Sequence, residues 1–176
     1  ARLRLNIEVE KLLMGYHVPP GSHTDAPVLE VLQAVLSDGK SSRLTRALVD
    51  IGVATDVSSG SYQHRDPSVF VIQANLQKRK KASVARAIIM RELDRLKQAP
   101  VSPHELARAK NLVNFNFYTS LVGNSAKARF LGRSEIQLGH FQRGIEAFNK
   151  RVQQITTKDL QRIAKKYFAK RNATVI

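Results

Sequence analysis

Val53-Ala54-Thr55-Asp56-Val57-Ser58-Ser59-Gly60-Ser61-Tyr62-Gln63-His64, followed after a short break by Ser68-Val69-Phe70-Val71-Ile72-Gln73-Ala74-Asn75-Leu76, is the stretch on which the fold turns. The first run is rich in Ser and Thr with β-branched residues between them, and the second alternates apolar and polar side chains towards its end. His64-Arg65-Asp66-Pro67 between them is turn chemistry, so the whole predicts a long β-hairpin.

Working upstream, Ser41-Ser42 can cap a helix from Arg43 to Ile51 that Gly52 closes. Before it, Asp25 stands where an N-cap would, Pro27 fits the first turn, and Val28, Leu29, Val31, Leu32, Val35 and Leu36 follow at helical spacing. Gly39 stops that helix. Earlier still, Ile7 to Val18 begins with alternation and becomes mostly apolar, which predicts a strand that is half buried first and more deeply buried later. Pro19-Pro20-Gly21 ends it.

Downstream of the hairpin, the basic run Lys78-Arg79-Lys80-Lys81 leads into a helix with Ala85, Ile88, Ile89, Leu93 and Leu96 as its core stripe. Pro100 breaks it. Ser102-Pro103-His104-Glu105 then has the form of a capping box with proline at the first helical position, ahead of Leu106, Ala109, Leu112, Val113 and Phe117. Gly123, Gly132 and Gly139 punctuate a further helical stretch, and Phe141 to Val152 is helical again. Thr156 or Thr157 caps a last helix with Leu160, Ile163, Ala164 and Tyr167 inward, and Asn172 to Ile176 starts a closing strand. The order of strand, two helices, hairpin, several helices and strand predicts an α+β domain, an antiparallel sheet with helices packed mainly on one face.

The 176 residues make one domain, 1–176, large enough to close a core. Hydrophobic residues are 43% and charged residues 24%, which excludes wholesale disorder. There is no cysteine, so a disulfide framework, a thiol nucleophile and thiolate metal sites are excluded. No apolar run is long enough to span a bilayer, and Ala1-Arg2-Leu3-Arg4-Leu5 has no signal-peptide apolar region. Both ends read as cut from a longer polypeptide. The net charge is +15 and unevenly placed: residues 1–66 hold 7 basic and 8 acidic residues, and residues 67–176 hold 22 and 6. That asymmetry predicts a basic surface facing an anionic partner, or a fragment separated from a more acidic remainder.

Few residues offer chemistry. No two of His17, His23, His64, His104 and His140 lie four apart, and nothing matches His-x-x-Glu-His, whose helical spacing sets two imidazoles beside a general-base carboxylate. Tyr16-His17 and His23 flank a turn and could meet a ligand, although solvated loop histidines are the ordinary expectation. Ser41, Ser42, Ser58, Ser59 and Ser61 stand in no Gly-x-Ser-x-Gly elbow. Glu8 and Glu10 alternate on a strand, and Glu92 and Asp94 point to different helix faces. Gly39-Lys40-Ser41-Ser42 matches only the end of a phosphate loop, because Ala34 stands where the upstream glycine would be. Charge at 78–81 favours non-specific adhesion to phosphate, but aromatics are 6% with no tryptophan, so no stacking platform supports specific nucleic-acid binding.

Taken in order, Gly15, Tyr16 and Pro19 at a strand end, Gly39-Lys40-Ser41-Ser42-Arg43-Leu44, and Val101-Ser102-Pro103-His104-Glu105-Leu106-Ala107-Arg108-Ala109-Lys110 resemble the C-terminal half-domain of the pitrilysin/insulinase family of zinc peptidases. Ile155-Thr156-Thr157-Lys158-Asp159-Leu160, Ala164-Lys165-Lys166-Tyr167-Phe168 and Asn172-Ala173-Thr174-Val175 resemble that family's closing helix and strand. The resemblance implies one half of a metallopeptidase clamshell. The N-terminal half carries the inverted zinc motif, and the C-terminal half holds no metal and closes over an extended peptide. It implies no catalytic and no metal-ligating residue here, zinc in a companion N-terminal domain of the same protein, a peptide substrate and an exported, periplasmic address. Catalytically engaged members carry an arginine and then a tyrosine just after Ser-Ser-Arg-Leu; aligned on Ser41-Ser42-Arg43-Leu44, those positions hold Val49 and Thr55. Arg43 and Arg46 are out of register for that pair. The substrate-binding residues therefore stay unassigned, and a second, related subunit supplying the Arg and Tyr is expected. The alternative is a proteolytically silent scaffold or a basic binding module.

Overall fold

The computed structural model describes residues 8–62 and 64–176, with side chains apart from those of residues 138 and 142–147. Ile7 and the N-terminal Ala1 to Leu5 lie outside the described residues. Four antiparallel strands, β1 (Lys11–Val18), β2 (Ala54–Ser61), β3 (Ser68–Leu76) and β4 (Ala173–Val175), form a sheet in the order β2-β3-β1-β4. The helices are α1 (Ala26–Leu36), α2 (Ala82–Gln98), α3 (Pro103–Ser120), α4 (Asn124–Leu138), α5 (Gln142–Gln154) and α6 (Thr157–Tyr167). This is the α+β architecture expected.

The hairpin forms as its composition requires, with Ser61 opposite Phe70 and Ala54 opposite Leu76. Next to it β1 pairs Tyr16 with Phe70, and the chain's end returns to pair Tyr16 with Ala173. Period-two geometry then sends Leu12, Met14, Tyr16 and Val18 to the same face as Phe70, Ile72, Ala74 and Leu76, and all eight are buried. Helices α1, α2 and α6 belong to the core cluster with them. At its centre Phe168 packs against the rings of Tyr16 and Phe70, at 5.0 and 5.2 Å between centroids.

The later half of β1 corrects the sequence reading. It is not buried on both faces: Leu13 is 37% exposed and His17 lies open. Apolar composition does not say how many faces are covered, and among the described residues the helices cover one. The edge strand β2 is covered differently. The Ser59 N–H donates to Ser37 Oγ at 2.9 Å at the end of α1, which gives an outward-facing donor a partner.

Helix ends also refine the sequence reading. Thr156 caps α6 with a complete box, its Oγ accepting from Asp159 N–H while the Asp159 carboxylate accepts from Thr156 N–H. Ser102 forms only half of its box: its Oγ accepts from Glu105 N–H at 3.1 Å, but the Glu105 carboxylate is engaged elsewhere. Asp25 precedes α1 without capping it, because its backbone is already helical and its carboxylate turns to α6. Ile88 and Leu112 are only partly buried. The segment predicted as a helix from Arg43 to Ile51 is a short turn that widens into a π-helix at Thr45–Val49. Gly39 (φ 82) and Gly52 (φ 69) bracket it in left-handed conformations that disfavour side chains.

Candidate functional site

The segment between Gly39 and Ser61 carries Val49 and Thr55, which the resemblance aligns with the family's Arg and Tyr. Ser42 is buried and its hydroxyl donates to Thr45 Oγ1 at 2.7 Å, so it serves the turn and faces no base. Arg43 reaches across to α3, donating from Nε and Nη2 to the two Glu105 carboxylate oxygens at 2.6 and 2.7 Å. This fork fastens the turn to the start of α3 and explains why Glu105 does not complete its capping box. The hydrogen bonds to Glu105 hold the Arg43 pKa above its ordinary value.

Val49 closes the π-turn, half-buried against the core. Thr55 occupies an irregularity of the β2–β3 ladder, where pairing steps from Ala54 opposite Leu76 to Asp56 opposite Asn75. Its hydroxyl donates to the Asn75 carbonyl and to Asp56 Oδ2, both at 3.1 Å. An isopropyl group cannot donate to a carbonyl, and this hydroxyl is already committed to its own sheet. Neither side chain can stabilise a developing oxyanion as a guanidinium or a phenol would.

The histidines are scattered. His17 lies on the open side of β1, His64 stacks near Tyr62, and His140 stacks on Phe141. His23 Nδ1 accepts from the Asp25 N–H at 3.0 Å. Tyr16 is fully buried, and burial pushes its phenol up to about 12. It therefore meets no ligand beside His17. Among the described residues no three His, Asp or Glu side chains converge as metal ligands do.

Two carboxylates stand out: Asp25, which the sequence reading placed as an N-cap, and Glu30, which it did not single out. Asp25, 3% exposed, accepts from Arg162 Nη2 (3.0 Å), Lys166 Nζ (2.8 Å) and the Tyr167 hydroxyl (2.7 Å). Burial alone would raise its pKa, but these donors outweigh it and bring the group to about 2. Glu30 is the one charged residue of α1, and burial lifts it to about 7 against the pull of Arg133. It borders a cavity of about 630 Å³ between α1, the end of the hairpin and α3–α5, with Asp38, His64, Phe117 and Arg133. A lone carboxylate in Ala26–Leu36 was a signal available in the sequence; the Asp25 cluster, whose partners lie 137 to 142 residues away, left none.

Residues 2–113 match the family profile described as the Peptidase M16 inactive domain. The zinc protease PqqE of Helicobacter pylori (strain ATCC 700392 / 26695) is 29% identical over 175 residues, covering 97% of this chain and 38% of that protein. The crystal structure of a protease from Helicobacter pylori superposes with a TM-score of 0.89 at 28% identity, over 98% of this chain and 41% of that one. The inactive peptidase domain of a protein assigned as a zinc protease in Bordetella parapertussis gives 0.85 at 25% identity, over 99% of this chain and 92% of that one. The chain thus spans well under half the length of the curated relative it matches.

Proposed function

Because the chain belongs to the Peptidase M16 inactive-domain family, we propose that it is the non-catalytic wall of a peptide-binding chamber. It closes opposite a zinc-bearing domain on the same polypeptide, and the parent protein is an exported zinc endopeptidase. The observation that carries this reading is one of proportion: 98% of the chain matches 41% of a whole protease. The remainder of such a protein has room for a companion domain. What this chain contributes is a rigid surface: a buried sheet-and-helix core, and a turn held to α3 by Arg43 and Glu105. No helix among the described residues is long and apolar enough to cross a membrane.

Val49 and Thr55 favour a parent that acts with a second, related subunit. With neither a guanidinium nor a phenol at those positions, the transition-state contacts come from a partner that carries both. The test is to assay the full-length parent with a quenched peptide, alone and with the product of any neighbouring related gene. Activity that appears only with the second protein, and is abolished by chelation, is the expected result. Full activity from the parent alone, unchanged by substitution at Val49 and Thr55, contradicts it.

A further inference from the structure

A groove of about 910 Å³ runs between the turn that follows Arg43, the middle of α2 and the first turn of α3. Its walls come from three stretches of sequence, and each brings arginine: Arg43 and Arg46, Arg91 and Arg95, and Arg108. What matters is which of these charges are already answered. Arg43 is forked onto Glu105, so that carboxylate is used from both oxygens. Glu92 is 6% exposed and accepts from Arg95 at 2.7 Å, with Arg91 Nε standing off at 4.0 Å. Arg108 donates to the carbonyls of Asp38 and Ala34 at 3.2 and 3.1 Å.

Two guanidiniums are left over. Arg46 is exposed and its side chain makes no hydrogen bond or ion pair among the described residues. The Arg91 side chain is 60% exposed and its nearest acid is already held by Arg95. Among the described residues the exposed Asp50 is the one lining acid that no arginine engages, and five arginines against Asp50, Glu92 and Glu105 leave the groove a net positive charge. No phenylalanine, tyrosine or tryptophan lines it, and His104 is the one ring in its lining on which a nucleotide base could stack. Planar carboxylates, by contrast, match the guanidinium fork, and the groove is already built from such pairs in Arg43–Glu105 and Arg95–Glu92.

We propose that this groove binds an acidic peptide segment, with carboxylate side chains of the ligand taken by Arg46 and Arg91. The inference goes beyond the chamber-wall reading, since it holds whether or not the bound segment is ever cleaved. Arg43 and Arg95 act as positioning residues, occupying the resident carboxylates so that Arg46 and Arg91 stay available.

The experiment is fluorescence anisotropy on the 176-residue chain with a labelled Glu-rich peptide, its Gln-substituted counterpart and an oligo-dT of matching charge. The Glu-rich peptide should bind and weaken with salt, and the Gln peptide should not. Combining Arg46→Glu with Arg91→Glu should weaken binding by about tenfold or more. Combining Lys127→Glu with Lys150→Glu, an equal charge change outside the groove, should weaken it less than about threefold. Thermal unfolding of each variant shows that it is folded, and Arg46→Gln with Arg91→Gln repeats the test without charge reversal. The proposal fails if no acidic peptide binds at low salt, if the two reversal pairs cost the same, or if the Gln peptide binds as well. It also fails if oligo-dT binds more tightly and loses its affinity on the Arg46 and Arg91 reversal, which would make the groove a nucleic-acid site.

Discussion

Helix α1 and helix α4 have similar lengths and opposite fates. Nine of the residues of α1 are buried, between the sheet, α3 and α6. Of the described side chains of α4, Ser134 alone is buried, while Leu131 and Ile136 are 37% and 69% exposed. The end of α3 shares this openness, with Phe115 at 64% and Tyr118 at 51%. Fold stability therefore resides in the sheet with α1, α2, α6 and the first part of α3, and α4 is an arm that packs, among the described residues, chiefly on α5. The lesson is that helix formation and core membership are separate questions, because a helix satisfies its own backbone wherever it lies.

The largest test of this contrast is Phe168→Ala. It removes a fully buried ring between Tyr16 and Phe70 and should cost about 3–5 kcal/mol in urea unfolding. A loss below about 1 kcal/mol would mean that the core is elsewhere.

Next comes the Asp25 cluster that ties α1 to α6, where Asp25→Asn should cost about 2 kcal/mol at neutral pH. Because the folded carboxyl titrates at about 2, below its ordinary 3.8, its contribution is complete above pH 4 and is lost as pH falls towards 2. The variant should therefore show a flatter acid limb than the native chain. An unchanged acid limb would show that the cluster does not form in solution.

Glu30 has the opposite sign. Its folded pKa of about 7 lies above the ordinary 4.5, so the folded state keeps a proton that the unfolded chain has lost, and stability falls as pH rises through that window. Glu30→Gln should be silent near about pH 4 and stabilising near about pH 8. Equal effects at both ends would point to packing rather than titration.

The caps give smaller effects. Ser102→Ala should cost about 1 kcal/mol, whereas His104→Ala, exposed in the first turn of α3, should stay within about 0.5. Smallest of all, Ile136→Ser on the arm should leave the unfolding midpoint unchanged within about 0.5 kcal/mol. Amide exchange should open α4 well before the central strands. Protection in α4 equal to that of β1 and β3 would erase the distinction between scaffold and arm.

Much of this was readable along the chain. The hairpin, the stops at Gly39 and Gly52, the cap at Ser102, the cap and buried stripe of the last helix, and the α+β order all follow from patterns a few residues long. Such patterns are local because backbone geometry repeats every two or 3.6 residues. The alignment of Val49 and Thr55 with the family's Arg and Tyr is a reading of the sequence alone. Tertiary structure alone decided what long-range partners do with a side chain. Glu105 has the spacing of a capping box but answers Arg43, 62 residues away, and Asp25 has the place of an N-cap but answers α6. It also decided that β1 buries one face, and that Arg46 and Arg91 line one groove in which Arg95 holds Glu92 and Arg43 holds Glu105. A charged or polar group takes the partner that packing brings within hydrogen-bond distance, and distance in space is not written in distance along the chain.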